Sequence, residues 1–449
     1  MKTFAETLIA IDAFWQMNAS FAAPGHLRDT LFTWLDEHDS EGATPIRSIL
    51  KDFFGGLPIE VETFLLDPAE RAFARHIATL QPYAMFLGNP PPAVSTHLTT
   101  ESSDDFLADN SGLWGVFRIV NLLLMSSIRP SKQIAIVTSV RDEGISLLEW
   151  IAHYRGLGVR DFFVYTNDNA DGSDLVLDLL AKNRIINLIR NTVMTARSIQ
   201  AKVMEHSIHM LDALREYEWV FFIDVDEFFI PRIGNRSTLS NVIQRLSSSF
   251  ERDAPSSISF HWKWFGSENK FERSEGLLLE RFLHSIHNEH VKSLVRLRDV
   301  VSMQRVHVPV LVPSAWGVTS DLRPFDLSGV GVKAVHGIGQ LNHYWNKSFQ
   351  EFAIKRSRGR ISGSKQGEAL DFSTFFLWGS NDRRGNFDPP PVEIVSRTKQ
   401  VLAELLAIAG MRESVACVEN LFQARVAELD SDLSLRRIYD AQVSSRVAT

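Results

Sequence analysis

The middle of the chain alternates between short apolar runs and stretches of helical periodicity. The apolar runs predict strands at 134–140, 161–166, 185–189 and 219–223. Helices are predicted from a capping box at 146–149, a turn at 171–173 and a periodic stretch at 198–217. Strands and helices that alternate at this interval indicate βαβ units. The sequence therefore predicts an α/β fold with a Rossmann-like, mostly parallel sheet flanked by helices.

The two ends of the chain have a different pattern. Apolar residues recur at helical spacing in Phe4, Leu8, Ile11 and Trp15, and a polar, proline-rich stretch at 88–111 indicates a linker. Strand signals become denser from about 255 to 345, and two amphipathic helices follow at about 393–430. The pattern predicts three regions, a helical one at 1–110, a sheet domain at 130–392 and a helical extension at 393–449.

Two carboxylates follow the strand predicted at 219–223, where Asp224 and Asp226 alternate with Val225. Both are expected on one side at the carboxyl end of the strand, where open α/β sheets bind ligands. Carboxylates this close repel each other unless a cation lies between them, and oxygen ligands suit Mg2+ or Mn2+. The triplet predicts a metal that holds a diphosphate. The alternative is a polar strand end without a ligand.

Two further polar clusters follow predicted strands, Val-Arg-Asp-Glu-Gly at 140–144 and Tyr-Thr-Asn-Asp-Asn-Ala-Asp-Gly-Ser at 165–173. Because the carboxyl ends of parallel strands meet at one edge of a sheet, both clusters should converge with Asp224 on one crevice. Their acidic and amide groups suit the base and ribose of a nucleotide. The alternatives are a helix cap at 171–173 and a surface ion pair between Arg141 and Glu143.

Composition and charge narrow the class of protein. The 449 residues carry a net charge of −7, with a pI near 6.1, which argues against nucleic acid as a partner. A single cysteine, Cys417, fits a reducing compartment. The N-terminus lacks a signal-peptide pattern, and Arg118 and Asn121 interrupt the most apolar window, 113–128. We expect a cytoplasmic protein, with peripheral membrane contact left open.

The motifs form an ordered set along residues 133–390. They include the clusters at 140–144, 148–154, 165–168, 171–173, 224–228, 262–267, 292–296, 306–308 and 342–348, with Lys355 and Arg358 after them. This set resembles the bacterial glycosyltransferases of the family-2-like and family-92-like group. The resemblance implies a GT-A fold, a nucleoside-diphosphate sugar donor, inversion at the anomeric carbon and usually a divalent metal.

The resemblance also implies roles by position. Asp224 and Asp226 correspond to the metal and diphosphate residues, and His343 completes the metal site, with His307 as the second candidate. Contacts to the nucleotide-sugar are assigned to Arg141, Asp142, Glu143, Asn167, Asp168, Asp224, Lys292 and Lys347. UDP is the favoured nucleotide, and the acceptor is a glycan or another hydroxyl compound.

Local patterns add two assignments. Ser348 and Glu351 form a capping box that starts a helix bearing Lys355 and Arg358, two cations that suit a departing diphosphate. The alternative is a solvated basic face.

Two tryptophans flank Lys263 in a predicted strand. Trp262 and Trp264 should share one face of that strand, because side chains alternate. An aromatic pair can stack on the apolar side of a sugar ring, so both are assigned to the acceptor. Packing in the core is the alternative.

The catalytic base is the least defined part of the predicted site. An inverting displacement needs a carboxylate within hydrogen-bond reach of the acceptor hydroxyl. Glu268 is the first candidate, and Asp382 and Asp388 follow. None of the three falls in a motif of the resembled group.

Two other functions compete with the glycosyltransferase hypothesis. A strand followed by Asp-x-Asp also begins the active site of aspartate-nucleophile phosphatases, but there Thr, Ser or Gly follows the second Asp and here Glu227 does. The other is a non-catalytic scaffold that binds carbohydrate or nucleotide on the same fold. Donor hydrolysis with metal and a panel of nucleotide sugars separates the three hypotheses.

Overall fold

A computed structural model describes residues 4–18, 24–38, 42–55, 57, 70, 71, 73, 74, 77, 120, 121, 129–190, 199–209, 211–234, 236–250, 253–304, 306–312, 314–325, 333–358, 372, 374, 375 and 385–447. Three helices open the chain, α1 Phe4–Asn18, α2 Pro24–Glu37 and α3 Ala43–Gly55. They confirm the helical pattern predicted there. The linker predicted at 88–111 lies outside the described residues.

One mixed sheet forms the centre of the protein. The strands in chain order are β1 Lys132–Val140, β2 Asp161–Thr166, β3 Asn187–Arg190, β4 Tyr217–Phe222, β5 Glu227–Pro231, β6 Ser257–Phe265, β7 His284–Arg296, β8 Val300–Gln304, β9 Val308–Leu311, β10 Gly317–Thr319, β11 Gly339–His343 and β12 Asn386–Phe387. The sheet order is β3-β2-β1-β4-β7-β6-β11-β5, with β10 beside β6 and β12 beside β7. β8 and β9 form a separate antiparallel pair.

The predicted alternation of strands and helices gives the parallel half of this sheet. β3, β2, β1 and β4 are parallel neighbours, and β6 is parallel to β10 and β11. The strand-rich region after residue 255 supplies β7, which is antiparallel to both β4 and β6. The α/β prediction with a large, mostly parallel sheet flanked by helices is therefore confirmed.

Helices cover both faces of the sheet. After α3 they are α4 Gly144–Gly156, α5 Ser173–Lys182, α6 Ile199–His209, α7 Leu239–Ser248, α8 Leu278–Arg281, α9 Phe349–Ser357, α10 Val392–Leu406, α11 Met411–Leu433 and α12 Leu435–Val447. Along β1, Ala135 and Val137 pack in a core with the N-terminal helices, whereas Ile134 and Ile136 pack in a second core with α4, α5 and α10. Successive side chains of a strand point to opposite faces, so one strand serves both cores.

The helix predicted at 198–217 is shorter in the structure. α6 ends at His209, a 3-10 turn occupies Asp212–Glu216, and Tyr217 already belongs to β4. Tyr217 pairs with Lys132 of β1. Sheet pairing therefore overrides the helical periodicity at this point, as tertiary context often does.

The prediction of a capping box at 146–149 is wrong. α4 begins at Gly144, and its N-cap residue Glu143 makes no side-chain capping bond. Glu149 instead accepts the backbone N–H groups of Leu278 and Leu279, at 3.0 and 3.5 Å, in the first turn of α8. A carboxylate is favourable there because it satisfies N–H groups that lack a partner within the helix. The local sequence gives no sign of this distant partner.

The start of α9 is capped as the sequence predicts. Ser348 Oγ accepts from the N–H of Glu351 at 3.3 Å, and Glu351 Oε2 accepts from the N–H of Ser348 at 3.1 Å. Arg281 donates to both oxygens of the Glu351 carboxylate, at 3.1 and 2.9 Å, and both side chains are buried. Burial would raise the pKa of Glu351, but Arg281 outweighs it and lowers the pKa. This pair anchors the helix that carries Lys355.

Replacing Glu351 with glutamine is expected to destabilise the protein by about 3–5 kcal/mol at pH 7, because Arg281 keeps a buried charge without its partner. The folded pKa of Glu351 lies below its ordinary value of 4.5. The stabilisation is therefore complete above pH 4.5 and is lost as the pH falls through the folded pKa. Urea unfolding of both proteins over a pH series measures this.

A matched control for that experiment is Asp440→Asn in the exposed pair with Arg436 on α12. This change should cost about 0–1 kcal/mol, as surface pairs usually do. A loss for Glu351→Gln no larger than the control's, or one that is independent of pH, contradicts the role given to the buried pair.

Candidate active site

Three loops meet at the carboxyl ends of β1, β2 and β4, which are neighbours in the sheet. In the first loop, Asp142 Oδ1 accepts the N–H of Ala170 at 2.6 Å, and the Asp142 N–H donates to Asn169 Oδ1 at 2.9 Å. The N–H of Gly144 donates to Asp171 Oδ2 at 2.8 Å. The loops after β1 and β2 thus form one bonded unit, which confirms that these two polar clusters meet. Their predicted convergence with Asp224 on one ligand-binding crevice stays a prediction.

The residues assigned to the nucleoside lie in this unit. Asp142 and Asp168 have φ angles of 50° and 45°, a left-handed conformation that aspartate adopts more readily than most residues. Asn167 is buried and donates from Nδ2 to Asp168 Oδ2 at 3.2 Å, while its Oδ1 has no hydrogen-bond partner among the described residues. Buried acceptors normally have a partner. Asn167 Oδ1 is thus a buried acceptor whose hydrogen-bonding capacity is unused among the described residues.

At 171–173 the N-cap residue of α5 is Gly172, which makes no side-chain capping bond, and the residue before it bonds the first helical N–H instead. Asp171 Oδ1 accepts the N–H of Ser173 at 2.9 Å at the start of α5. The same carboxylate bonds Gly144 through its other oxygen. Asp171 therefore joins the loop after β1 to the start of α5.

Asp224 is paired with a buried lysine. Its Oδ2 lies 2.9 Å from Nζ of Lys292 on β7, and Gln200 Nε2 donates to its Oδ1 at 3.3 Å. Glu227 Oε2 accepts the Asp224 N–H at 3.0 Å and lies 3.9 Å from Lys292 Nζ. Burial raises the pKa of Glu227 well above its usual range, more than Lys292 lowers it. Lys292 is only 1% exposed, so it neutralises Asp224 from inside the protein.

Asp226 lies between a lysine and a histidine. Lys355 Nζ donates to its Oδ2, and His343 Nε2 lies 3.6 Å from its Oδ1. The backbone carbonyl of Asp226 accepts the N–H of Tyr344 at 2.9 Å. Burial would raise the pKa of Asp226, but Lys355 and then His343 outweigh it and hold the pKa well below its usual range. Asp226 is therefore ionised at neutral pH.

Arg358 and Lys347 connect the α9 segment to the loop after β1. Arg358 donates to the carbonyl oxygens of Arg141 and Asp142 and to the carboxylate of Glu143. Lys347 Nζ lies 3.6 Å from the same carboxylate. Burial would raise the pKa of Glu143, but Arg358 and Lys347 outweigh it and lower the pKa. Glu143 thus pairs with Arg358 and Lys347, in place of the surface pair with Arg141 that the sequence left open.

An aromatic wall lies beside His343. The ring centroids of Trp262 and Trp264 are 4.2 and 5.7 Å from that of His343, which confirms that the two tryptophans share a face. His290 stacks on Trp262 at 5.1 Å, and Trp345 contacts Trp264 at 5.5 Å. Both Trp262 and Trp264 are 8% exposed, so packing covers most of their surface. His290 is the exposed member of the wall.

Glu268, the first candidate base, is bonded to the start of β7. It accepts the N–H groups of Leu283 and His284 at 2.7 and 2.8 Å and lies 3.0 Å from His284 Nδ1. Burial would raise the pKa of Glu268, but the bonds from Leu283 and His284 lower it. Acting as a base would require the carboxylate to exchange one of these partners for the acceptor hydroxyl.

Asp388, the third candidate base, is placed less favourably than Glu268. Asp388 lies 2.6 Å from Lys263 Nζ. Lys263 points away from the face of β6 that carries Trp262, so Asp388 lies across the sheet from His343. Asp382 is outside the described residues, and its assignment stays a prediction.

Asp226 and His343 are the donors that fit a divalent cation. Their Oδ1 and Nε2 atoms are 3.6 Å apart. The carboxylate oxygen suits Mg2+ or Mn2+, and a neutral imidazole is a common metal ligand. In the part of the chain that the structure describes, no three His, Cys, Asp or Glu side chains form a metal-holding group. Two protein ligands suit a cation that takes its other ligands from phosphates and water. Asp224 faces Lys292, and its assignment as a metal ligand stays a prediction.

His307, the second histidine candidate, is bonded elsewhere. Its Nδ1 lies 3.0 Å from the carbonyl oxygen of Val291, and its ring contacts Trp262 edge-on at 5.5 Å. Burial lowers the pKa of His307 to about 4. It belongs to the aromatic wall and keeps a neutral imidazole at pH 7.

Three residues at the site, Gln200, Glu227 and Trp345, have no role predicted from the sequence. Trp345 follows His343 at a spacing of two, so strand alternation could have indicated it. Glu227 adjoins Asp226 in the sequence, but its contact with the Asp224 N–H depends on the loop. Gln200 is 24 positions before Asp224, and no local pattern links the two.

A sheet whose neighbouring strands end in acidic loops, with cations and a histidine around one aspartate, is typical of a glycosyltransferase. Residues 141–363 match the family model described as glycosyltransferase family 92. The matched segment is just under half of the chain and contains all the loops described above. The family-92 part of the resemblance is thereby supported.

The curated relatives are plant proteins of the same family name. A glycosyltransferase family 92 protein of Ricinus communis is 30% identical over 129 residues, which are 29% of this chain and 22% of that protein. One of Oryza sativa is 29% identical over 119 residues, 26% and 19% of the two chains. One of Arabidopsis thaliana is 24% identical over 266 residues, 58% and 41% of the two chains. These relatives give no support to the bacterial part of the resemblance.

The matched segments span about one fifth to two fifths of the curated relatives' own length. Among the helices that the structure describes, none has the length and apolarity needed to cross a membrane.

Proposed function

We propose that this chain transfers a sugar from a nucleoside-diphosphate donor to a hydroxyl acceptor, on a GT-A fold and with Mn2+ or Mg2+. The observation that carries the proposal is the position of Asp226, with His343 and Lys355 around it, at the edge where β1, β2 and β4 end. Ligands of open α/β sheets bind at this edge. The family-92 match over the same residues supports the transferase class.

The bonded loops after β1 and β2 suit the nucleoside. Asn167 Oδ1 is a buried acceptor without a partner among the described residues, and a pyrimidine N–H would supply one. UDP is therefore the first donor nucleotide to test. Arg358 acts on this subsite indirectly, because it holds the carbonyl groups of Arg141 and Asp142 in place.

The negative charge of the diphosphate would be stabilised by positive groups beside Asp226. A cation held by Asp226 and His343 would stabilise the negative charge that develops as the sugar leaves. Lys355 places an ammonium group beside the same carboxylate and would donate to a phosphate oxygen. The carboxylate of Asp226 is ionised, and both the contact with a cation and the contact with Lys355 require this charge.

The aromatic wall suits the acceptor. Trp262 and Trp264 would contact a sugar ring at their exposed edges, and His290 extends the same surface into solvent. A carboxylate would take the proton of the acceptor hydroxyl while the acceptor oxygen attacks the anomeric carbon. The bond between the anomeric carbon and the diphosphate would break, and the nucleoside diphosphate would leave. Glu268 stays the first candidate for this base, since Asp388 lies on the other face of the sheet.

The scaffold and phosphatase hypotheses remain distinguishable by experiment. A scaffold binds the donor without hydrolysing it, and a phosphatase releases phosphate from simple phosphate esters. The predicted cytoplasmic location and peripheral membrane contact stay predictions.

A nucleoside diphosphate together with Mn2+ is expected to raise the melting temperature, and neither should do so fully alone, since the cation has two protein ligands. Saturation at a hundred times the dissociation constant would add about 2.7 kcal/mol. Thermal melting with UDP, GDP and dTDP, each with and without Mn2+, measures this. Asp226→Asn is the control and should lose the joint effect. If no diphosphate shifts the wild-type melting temperature, the proposed donor site is wrong.

A further inference from the structure

Lys355 is bonded to the Asp226 carboxylate, which the proposed cation would need as a ligand. Its ammonium group donates to Oδ2 of Asp226, whose Oδ1 faces His343. The side chain of Lys355 is 22% exposed, whereas those of Asp226 and His343 are 7% exposed. Lys355 therefore covers the carboxylate from the more open side of the site.

Asp226 and His343 are fixed relative to each other. Glu227, the next residue after Asp226, pairs with His343 across β5 and β11. The Asp226 carbonyl also accepts the N–H of Tyr344 at 2.9 Å. Two backbone links hold the aspartate beside the histidine, so a ligand that displaces Lys355 need not move either residue.

Packing also holds the backbone of α9 in place, whereas the side chain of Lys355 can change its conformation. Phe349 and Phe352 of this helix are buried, and Glu351 is held by Arg281. Lys355 lies in the last turn, with its ammonium group 5.9 Å from the ring centroid of Trp345. A lysine has four rotatable carbons and an ammonium group that donates in several directions. The side chain can therefore move while the helix stays in place.

The positive charge of Lys355 then determines when a cation can bind at Asp226. A divalent cation at Asp226 would lie beside the Lys355 ammonium group, and like charges at such a distance repel. A diphosphate removes this conflict because its oxygens can accept from Lys355 and also ligate the cation. Donor and cation would thus favour each other's binding through one lysine.

We propose that Lys355 is a latch on the cation site. In the free protein it pairs with Asp226, and when the donor binds it turns to the diphosphate, so the cation binds tightly only together with a nucleoside diphosphate. This inference rests on the proposed function, and it adds the order in which the site accepts its ligands.

The test is the affinity of the protein for Mn2+, measured by the electron paramagnetic resonance signal of free Mn2+, first alone and then with UDP, GDP or dTDP. Lys355→Met keeps the apolar stem and removes the charge. It should bind Mn2+ alone roughly tenfold more tightly than the wild type, within the usual range of coupling between sites. The gain in Mn2+ affinity on adding the diphosphate should shrink accordingly. Lys355→Arg, which keeps the charge, should retain the wild-type coupling.

Lys263→Met is the matched control, because Lys263 also pairs with an aspartate in a partly buried site, on the other face of the sheet. Its Mn2+ affinity should equal that of the wild type. If Lys355→Met binds Mn2+ no more tightly than the wild type, while the wild type shows the joint binding, the latch is wrong and the proposed function stands. If the wild type binds Mn2+ with none of the diphosphates, the proposed cation site is wrong and the latch falls with it.

Discussion

Asp226→Asn is expected to lower turnover by about a thousandfold, which corresponds to about 4 kcal/mol of transition-state stabilisation. Asparagine keeps the shape and the backbone bond to Tyr344 but removes the charge that faces Lys355 and His343. It would weaken the hold on a cation and leave Lys355 without its counter-charge. Steady-state kinetics across a Mn2+ titration measures the effect.

The fold should survive this change. The preceding strand is held by buried Trp219, Val220, Phe221 and Phe222 and by pairing with β1 and β7. Asp178→Asn is the control, since Asp178 also pairs with a cation, Arg190, but lies on the surface away from the site. Turnover near the wild-type value in Asp226→Asn, with unchanged Mn2+ dependence, would remove Asp226 from the mechanism.

Arg358→Ala is expected to raise the KM for the donor by more than it lowers kcat, with a loss of about 3–5 kcal/mol in stability as well. From the sequence, Arg358 was predicted to be a cation that faces the diphosphate, and the loss of such a cation would lower mainly kcat. In the structure its guanidinium group bonds Glu143 and two carbonyl groups of the loop after β1. Removing it leaves the buried Glu143 with Lys347 as its remaining close cation and frees the loop that carries Asp142.

Arg358→Lys separates positioning from charge. A lysine keeps the charge but cannot donate in the forked geometry of a guanidinium group, so it should restore little of the donor KM. Arg356→Ala, in the last turn of α9 two residues before Arg358, is the control and should leave KM close to the wild type. A fall in kcat alone, rescued by lysine, would return Arg358 to the role of a cation at the leaving group.

Parts of the site could be read from short-range patterns. The apolar run before Asp224 predicted β4, and strand alternation placed Trp262 and Trp264 on one face. The capping box at Ser348 was confirmed because both of its partners lie within one helical turn. In each case the interaction that decides the structure spans only a few residues.

Patterns failed where the deciding partner lies far away in the sequence. Glu149 was read as part of a local cap, but it binds the start of α8, 129 positions later. The helix predicted up to residue 217 ends at His209 because Tyr217 pairs with β1. Local propensity is a weak preference, and sheet pairing or burial overrides it.

The alternating α/β plan, the acidic loops at the ends of β1, β2 and β4, and the resemblance of residues 141–363 to a glycosyltransferase family could all be predicted without a structure, because periodicity and ordered motifs are local properties of the chain. Which charges meet depends on the three-dimensional arrangement of the chain. It paired Asp224 with Lys292, Asp226 with Lys355 and His343, and Glu143 with Arg358, over separations of 68 to 215 positions. Such pairs form because a buried charge is costly until an opposite charge reaches it, and the fold alone brings the two together.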